Sequence, residues 1–158
     1  MNTPETLDHA GIARRIPHHG TMCLLDRLDG WSAGEIRCSS AQHVLAANPL
    51  RSASGLLAPA AIEFAAQAMA LHGSLVAPPG TEPSPGYIAS VRNVRFAALR
   101  LDTVEGELKI HATRLAGGAN EVMYAFRVAD AAGSVLAEGR AAVVLDSPVP
   151  TTSSESTT

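Results

Sequence analysis

The residue with the clearest chemical potential is Glu63, which lies inside a long apolar run. The run covers Ala58–Val76, and Gln67 stands four positions after Glu63, so both side chains share one face of a helix. A carboxylate in apolar surroundings is costly unless it is paired, hydrogen-bonded or neutral. Burial also raises the pKa of a carboxyl group, which is how enzymes keep a glutamate ready to exchange a proton near neutral pH. Glu63 is therefore a candidate acid–base residue, or alternatively a backbone cap or an ion-pair partner of Arg92 or Arg95.

Histidine is the usual partner of such a glutamate, because its pKa lies near neutrality. His18 and His19 lie in the constrained turn Ile16–Gly20, and His43 ends a predicted strand ahead of the helix. We expect structural or solvent-facing roles for the remaining histidines, which are His9, His72 and His111. The spacings typical of metal sites do not occur, so we expect no metal.

These candidates need a scaffold, and the apolar run Ala58–Val76 predicts one long buried helix. Pro59 suits its first turn, and Pro78-Pro79-Gly80 must end it. His72, near the helix end, is expected to be a cation that the helix dipole favours. Because Glu63 lies within the run, a buried helix is a better interpretation than a bilayer span.

Six strand-like runs flank the helix, two before it and four after it. Alternation of apolar and polar residues and glycine-containing turns define them, and short connections predict antiparallel hairpins. The runs are Met22–Trp31, Glu35–His43, Tyr87–Leu99, Thr103–Leu115, Glu121–Ala129 and Val135–Leu145. The sheet must curl around the helix. Since one layer cannot cover a helix on all sides, we expect a second subunit to complete the packing.

The composition is typical of one globular domain without a cationic surplus. The chain has 158 residues, 46% hydrophobic and 4% aromatic, with 12 basic and 15 acidic residues and a net charge of −3. That balance argues against nucleic-acid binding. With no visible signal peptide and two cysteines expected to be buried and reduced, we expect a cytoplasmic protein without a membrane partner. The predicted organisation is an N-terminal segment 1–13, a folded domain 14–146 and a disordered tail 147–158.

Three segments together resemble the 3-hydroxyacyl-ACP dehydratases. Ile16–Leu28 (IPHHGTMCLLDRL) is similar to the family's opening motif LPHRYPFLLVDRV, Ile62–Ala68 (IEFAAQA) to its helix motif L-x-E-A-x-A-Q, and Gly86–Phe96 (GYIASVRNVRF) to the strand after the helix. The run 48–73 is more narrowly similar to the dehydratase-like proteins of bacterial aryl-polyene pigment clusters. The resemblance implies an α+β hotdog fold, in which a curved antiparallel sheet wraps around one long central helix, and a dimer or larger assembly.

The resemblance also implies an activity. The chain would dehydrate a 3-hydroxyacyl thioester on acyl carrier protein to the trans-2-enoyl thioester, in fatty-acid-like or aryl-polyene biosynthesis. Glu63 would be the general acid on the hydroxyl or would bind the water formed, and Gln67 would orient it. Backbone amides near Pro59–Ala61 would polarise the thioester carbonyl. Elimination of water needs only proton transfers, so we expect no cofactor.

One departure from the family affects the base. The family's catalytic histidine lies in an HFPG loop before the acid, whereas Pro49–Leu57 (PLRSASGLL) contains no histidine. The replacement candidates are His18 or His19, followed by His43. Without a base, the chain would instead be a non-catalytic hotdog partner of an active dehydratase, and a hotdog thioesterase would share the same fold. The expected partners are acyl carrier protein with its acyl chain and a second hotdog subunit, identical or different.

Overall fold

The computed structural model describes residues 4–18, 20–78, 86–118 and 120–145. The predicted disordered tail 147–158 lies outside these residues. The helices and strands of the described part are β1 Leu7–Asp8, α1 His9–Ala13, β2 Arg27–Ser32, β3 Glu35–Ser40, α2 Ala61–Val76, β4 Gly86–Phe96, β5 Leu108–Gly117, β6 Glu121–Ala129 and β7 Val135–Leu145.

The strands form one antiparallel sheet in the order β1-β2-β3-β5-β6-β7-β4. This architecture confirms the predicted α+β class, with one long helix on a seven-stranded sheet. β1 extends the sheet beyond the predicted strands, because Leu7 pairs with Leu28. Ile12 of α1 is fully buried in the core, so the segment before residue 14 packs against the sheet.

Helix α2 lies against one face of the sheet and fills the core. Its contacts are mainly with β3, β5 and β6. Phe64 and Leu71 are fully buried, and each such side chain contributes about 1.5–3 kcal/mol when it leaves water. The alanines between them, such as Ala65 and Ala68, are also fully buried and let the helix approach the sheet closely.

Three predicted strand boundaries shift because local turns replace regular structure. The first predicted strand began at Met22, but Gly20–Met22 forms a 3-10 turn and β2 begins at Arg27. The second predicted strand ended at His43, but β3 ends at Ser40 and Gln42–Val44 forms a 3-10 turn. The predicted strand from Thr103 begins only at Leu108, after a turn in which Gly106 has φ +77°. That left-handed conformation suits glycine.

The expected cationic cap at His72 is wrong. His72 is fully buried, and its Nε2 donates to the carbonyl oxygen of Ser32 at 2.8 Å. Its Nδ1 lies 2.7 Å from the Tyr124 hydroxyl, which donates to it when the ring is neutral. Burial lowers the pKa of His72, so the neutral ring is the favoured form. The imidazole therefore fastens α2 to the sheet instead of balancing the helix dipole.

Both cysteines are buried and free, as predicted. Burial raises the pKa of the Cys38 thiol to about 12 and also raises that of Cys23, so neither is an activated thiolate. None of the helices in the described ranges has the length and hydropathy needed to cross a bilayer.

Candidate active site

Glu63 lies in the first turn of α2 and its side chain is exposed in the single chain. Among the described residues, Glu63 makes no hydrogen bond or ion pair. The alternative prediction, an ion pair with Arg92 or Arg95, is therefore wrong for the single chain. The expectation that one chain buries this carboxylate is therefore wrong. An exposed carboxylate is in contact with water, and burial of the kind that favours the protonated acid would need another surface to cover it.

The exposed face of α2 around Glu63 is nevertheless apolar. Ile62, Ala66 and Ala70 are only half-buried and, at a spacing of four residues, lie beside Glu63 along one side of the helix. A solvent-facing helix stripe normally carries charged side chains, whereas Glu63 is the only charged residue of α2. This stripe of small apolar residues is therefore unlike a surface that stays in water.

Gln67 has a positioning role different from the expected one. It is buried, its Oε1 accepts from the Leu24 amide at 2.7 Å, and its Nε2 donates to the Met22 carbonyl at 2.7 Å. No hydrogen bond joins it to Glu63 in the part of the chain that the structure describes. Gln67 thus fastens the segment that follows the histidine turn to the central helix, one turn below Glu63.

His18 is half-buried and precedes the 3-10 turn Gly20–Met22. Its Nδ1 is buried and has no hydrogen-bond partner among the described residues. Its neighbour His19 lies outside the described residues. A buried ring nitrogen without a partner is costly, and in a native structure such an atom is a candidate for contact with a ligand or substrate.

His43 is fully buried in the 3-10 turn Gln42–Val44. Its Nε2 lies 2.9 Å from the carbonyl oxygen of Val104, which can only accept, so Nε2 carries the proton. In the neutral ring Nδ1 then holds the free lone pair, and this atom is buried without a partner. Within the described ranges, His18 Nδ1 and His43 Nδ1 are the two buried side-chain polar atoms left unsatisfied.

Asp26 of the opening motif positions the turn that holds His43. Its two carboxylate oxygens accept from the Ala41 amide at 2.7 Å and from Gln42 Nε2 at 2.9 Å. The Ser40 hydroxyl donates to the Leu24 carbonyl at 2.5 Å in the same region. Through these hydrogen bonds the motif joins the segment before β2 to the end of β3.

The loop in front of α2 is held by an acidic residue that the sequence did not indicate. Asp102 accepts from the Leu56 amide at 3.2 Å and from Arg100 at 2.9 and 2.6 Å, while Arg51 lies 3.6 Å away. The Arg100 guanidinium holds the pKa of this carboxyl well below its usual range. Gly55 has φ +96°, and a side chain there would collide with Arg100 and Asp102. An Arg-x-Asp spacing is too common in sequences to have predicted these contacts of Asp102.

The backbone amides expected to polarise a thioester are already engaged. The Ala58 amide donates to the Leu99 carbonyl at 3.0 Å, the Ala60 amide to Leu57 at 3.0 Å, and the Ala61 amide to carbonyls of the same turn. The prediction of a carbonyl-binding site near Pro59–Ala61 is therefore wrong. In the 3-10 turn that precedes α2, these N–H groups already donate to backbone carbonyls.

Comparison with known families identifies the chain. The profile of the ApeP dehydratases matches residues 10–153. The chain belongs to the ApeP-like dehydratase family. No curated protein matches this ApeP-like sequence significantly.

Solved structures share the fold of this ApeP-like chain. The dehydratase heterocomplex ApeI:P from Xenorhabdus doucetiae matches with a TM-score of 0.76 and 23% identity, over 87% of this chain and 91% of that one. A thioesterase from Haemophilus influenzae matches with a TM-score of 0.62 and 13% identity, over 88% and 90%. A mutant thioesterase from Pseudomonas aeruginosa matches with a TM-score of 0.57 and 15% identity, over 75% and 79%. At these identities the matches establish the hotdog fold.

Proposed function

We propose that this chain dehydrates a 3-hydroxyacyl thioester on acyl carrier protein, as one subunit of a hotdog assembly in the cytoplasm. The observation that carries the proposal is the dehydratase-family match across the folded domain, with Glu63 placed on the first turn of its central helix. The matching heterocomplex is itself named a dehydratase. The narrower resemblance to aryl-polyene proteins points to a polyene-forming acyl chain as substrate.

The reaction needs one base and one acid. The base removes a proton from C2 of the acyl chain, the electron pair forms the C2–C3 double bond, and the C3–O bond breaks. Glu63, protonated beforehand, gives its proton to the departing hydroxyl, which leaves as water. Each of the two groups typically contributes about 10²–10⁴ in rate.

His18 is our first candidate for the base. Its ring is half-buried and so within reach of a ligand, and its Nδ1 has no competing partner among the described residues. Gln67 holds the Met22–Leu24 backbone, close to His18 along the chain, against the same helix that carries Glu63. His43 is the second candidate, because Val104 fixes its tautomer, but its ring is fully buried and a substrate must first open a path to it.

A second hotdog subunit would supply the missing wall of the site. The exposed stripe of α2 and several apolar side chains beyond it lack cover in a single chain: Phe96 is 42% exposed, Leu57 46% and Leu99 89%. Helix α2 packs mainly on β3, β5 and β6, and Val91 and Val94 of edge strand β4 are only partly buried against the core. Covering these surfaces with a partner would enclose Glu63 and exclude bulk water from the site.

The family resemblance implies an acidic acyl carrier protein as partner. Basic residues near the start of α2 could contact it. Arg51 and Arg100 flank the loop before α2 and remain partly exposed around Asp102. Two other basic residues, Arg92 and Arg95, lie on the opposite face of the sheet. We therefore place carrier docking near Arg51 and Arg100.

The test is turnover of a 3-hydroxyacyl carrier substrate, followed as loss of water by intact-protein mass spectrometry. The purified chain is assayed alone and with a co-expressed hotdog partner, as wild type, Glu63→Gln and His18→Asn. The matched controls are Glu121→Gln, an exposed glutamate at the start of β6, and His111→Asn, which is paired with Glu35 on the outer face. We expect the first two variants to lose about 10²–10⁴ in kcat and the controls to keep it. Equal turnover in all five proteins would contradict the assignment.

The absence of a histidine from Pro49–Leu57 favours one alternative, a non-catalytic partner subunit. In that case the chain alone is inactive, and Glu63→Gln leaves the activity of the mixed assembly unchanged. The same assay therefore separates the two functions.

A further inference from the structure

A second concave surface lies on the side of the sheet opposite to α2. It is a groove of about 580 Å³ across the outer faces of β4, β5, β6 and β7. Arg95, Arg127 and Arg140 line it together with Asn93 and Glu138. The groove is remote from the exposed stripe of the helix, and the dehydration chemistry makes no use of it.

The strand register concentrates positive charge at this groove. Arg92 of β4 is paired directly with Arg140 of β7, so their side chains leave the same face of the sheet about 5 Å apart at Cβ. Arg95 and Arg127 are both paired with Glu138, from its two sides. Like charges directly opposite each other destabilise a sheet, so the Arg92–Arg140 pair has an energetic cost in the free chain.

Neighbouring carboxylates neutralise only part of this charge. Arg127 Nε lies 3.9 Å from Glu138, and Glu35 pairs with Arg37 and with His111, which also lines the groove. Within the described part of the chain, the guanidinium groups of Arg92, Arg95 and Arg140 have no acceptor. Because the whole chain carries a net charge of −3, this basic face is not the result of a general cationic excess.

We propose that this groove binds a small molecule carrying a diphosphate group. Guanidinium groups bind phosphoryl oxygens through paired, charge-assisted hydrogen bonds. Two arginines of the groove lining, Arg95 and Arg140, have guanidiniums without an acceptor among the described residues, and Arg92 lies beside Arg140 at the margin of the groove. This compact cluster matches the two to three negative charges of one diphosphate better than the spread carboxylates of an acidic protein surface. The volume of the groove is also in the range of small-molecule sites. The proposal is independent of the dehydratase activity.

The experiment measures binding of inorganic pyrophosphate and of ADP to the full chain by calorimetry, in buffer free of phosphate and sulfate. Arg140→Gln removes the central guanidinium. Arg37→Gln is the matched control, since it removes the same charge from the same face at an arginine paired with Glu35. We expect pyrophosphate to bind wild type, Arg140→Gln to lose about tenfold or more in affinity, and Arg37→Gln to lose less than about twofold. ADP that binds as tightly as pyrophosphate supports recognition of the phosphoryl groups alone, and tighter ADP binding supports a nucleotide ligand.

Thermal unfolding gives a second readout, because a ligand-binding role and a structural role of Arg140 predict opposite changes of Tm in the variant. Without ligand, Arg140→Gln should have a Tm equal to or above that of wild type, because the repulsion with Arg92 is relieved. With pyrophosphate, the Tm of wild type should rise and that of Arg140→Gln should not. A purely structural role of Arg140 would instead lower the Tm of the variant in the absence of ligand.

Three results would overturn the proposal. The first is no binding of pyrophosphate or ADP to wild type at millimolar concentration. The second is an equal loss of affinity in Arg37→Gln and Arg140→Gln, which would indicate only the overall charge of the face. The third is binding of an octaglutamate peptide without binding of pyrophosphate, which would indicate an acidic protein partner.

Discussion

Glu63 and Gln67 stand one helical turn apart and have opposite environments. Glu63 faces water in the single chain, whereas Gln67 is buried and satisfied by two backbone groups of the segment before β2. Within the part of the chain that the structure describes, the Glu63 carboxylate makes no hydrogen bond or ion pair, whereas the Gln67 amide holds the backbone of Met22 and Leu24. At the residue scale the candidate acid is therefore free for chemistry, while its neighbour secures the wall of the site.

Gln67→Leu should reduce the stability of the fold. Leucine keeps the volume but leaves the Leu24 amide, buried at the core, without an acceptor, which costs about 1–3 kcal/mol. The measurement is the free energy of unfolding in urea. Glu63→Gln is the control, because an exposed side chain without a partner should change stability by less than about 0.5 kcal/mol. Equal stability of the two variants would show that the Gln67 hydrogen bonds contribute nothing.

The sequence predicts which residues matter here but not their surroundings. Periodicity places Glu63 and Gln67 on one face of a helix, and that is correct. The environment of each depends on contacts with residues more than forty positions away, such as Leu24. No local pattern encodes such contacts, so the burial of Glu63 and the role of Gln67 were predicted wrongly.

At the scale of elements, His72 connects helix α2 to two strands of the sheet, β2 and β6. Its ring bonds Ser32 at the end of β2 and Tyr124 in the middle of β6. The ring also meets Tyr124 edge-on, at 5.6 Å between centroids. One neutral imidazole thus holds three elements together.

This arrangement predicts a pH dependence of stability. Burial, with a smaller effect of Arg114, lowers the pKa of His72 below its ordinary value of 6.5, so the unfolded chain takes up a proton that the folded chain resists. The resulting stabilisation is complete above about pH 6.5 and is lost as the pH falls through the lowered pKa. Urea unfolding at a series of pH values should show a steeper loss of stability below pH 6.5 in wild type than in His72→Gln. Parallel curves would contradict a lowered pKa at this residue.

Elements were more predictable than their ends. Alternation found β3 to β7 and the apolar run found α2, because these patterns report burial against one core. The predicted boundaries were wrong where a turn is held by hydrogen bonds to residues distant in the sequence. The Gly20–Met22 turn lies beside Gln67, and the segment after Leu101 is organised around Asp102.

At the scale of the molecule, the exposed apolar stripe of α2 predicts that a second subunit covers it. Ala66→Arg places a charge in the middle of the stripe and should prevent assembly. Light scattering should give the mass of two hotdog subunits for wild type and of one for the variant. Ala125→Arg, on the outer face of the sheet, is the control and should assemble normally. A wild-type mass of one chain, both alone and with a co-expressed hotdog partner, would contradict the role of the stripe.

The hotdog architecture followed from element order and motif resemblance, but the shape of the site did not. An apolar sequence pattern reports burial in an assembly as well as burial within one chain. Glu63 lies in such a pattern and is exposed in the single chain, which is the result expected if a second subunit completes the proposed site.

The most direct test of that account is a crystal structure of the assembled protein with a stable 3-hydroxyacyl pantetheine analogue. We expect the Glu63 carboxylate to be covered by the second subunit and to lie within about 3.5 Å of the 3-hydroxyl, with a histidine nitrogen facing C2. A structure in which the assembly is complete and Glu63 still faces open solvent would contradict it.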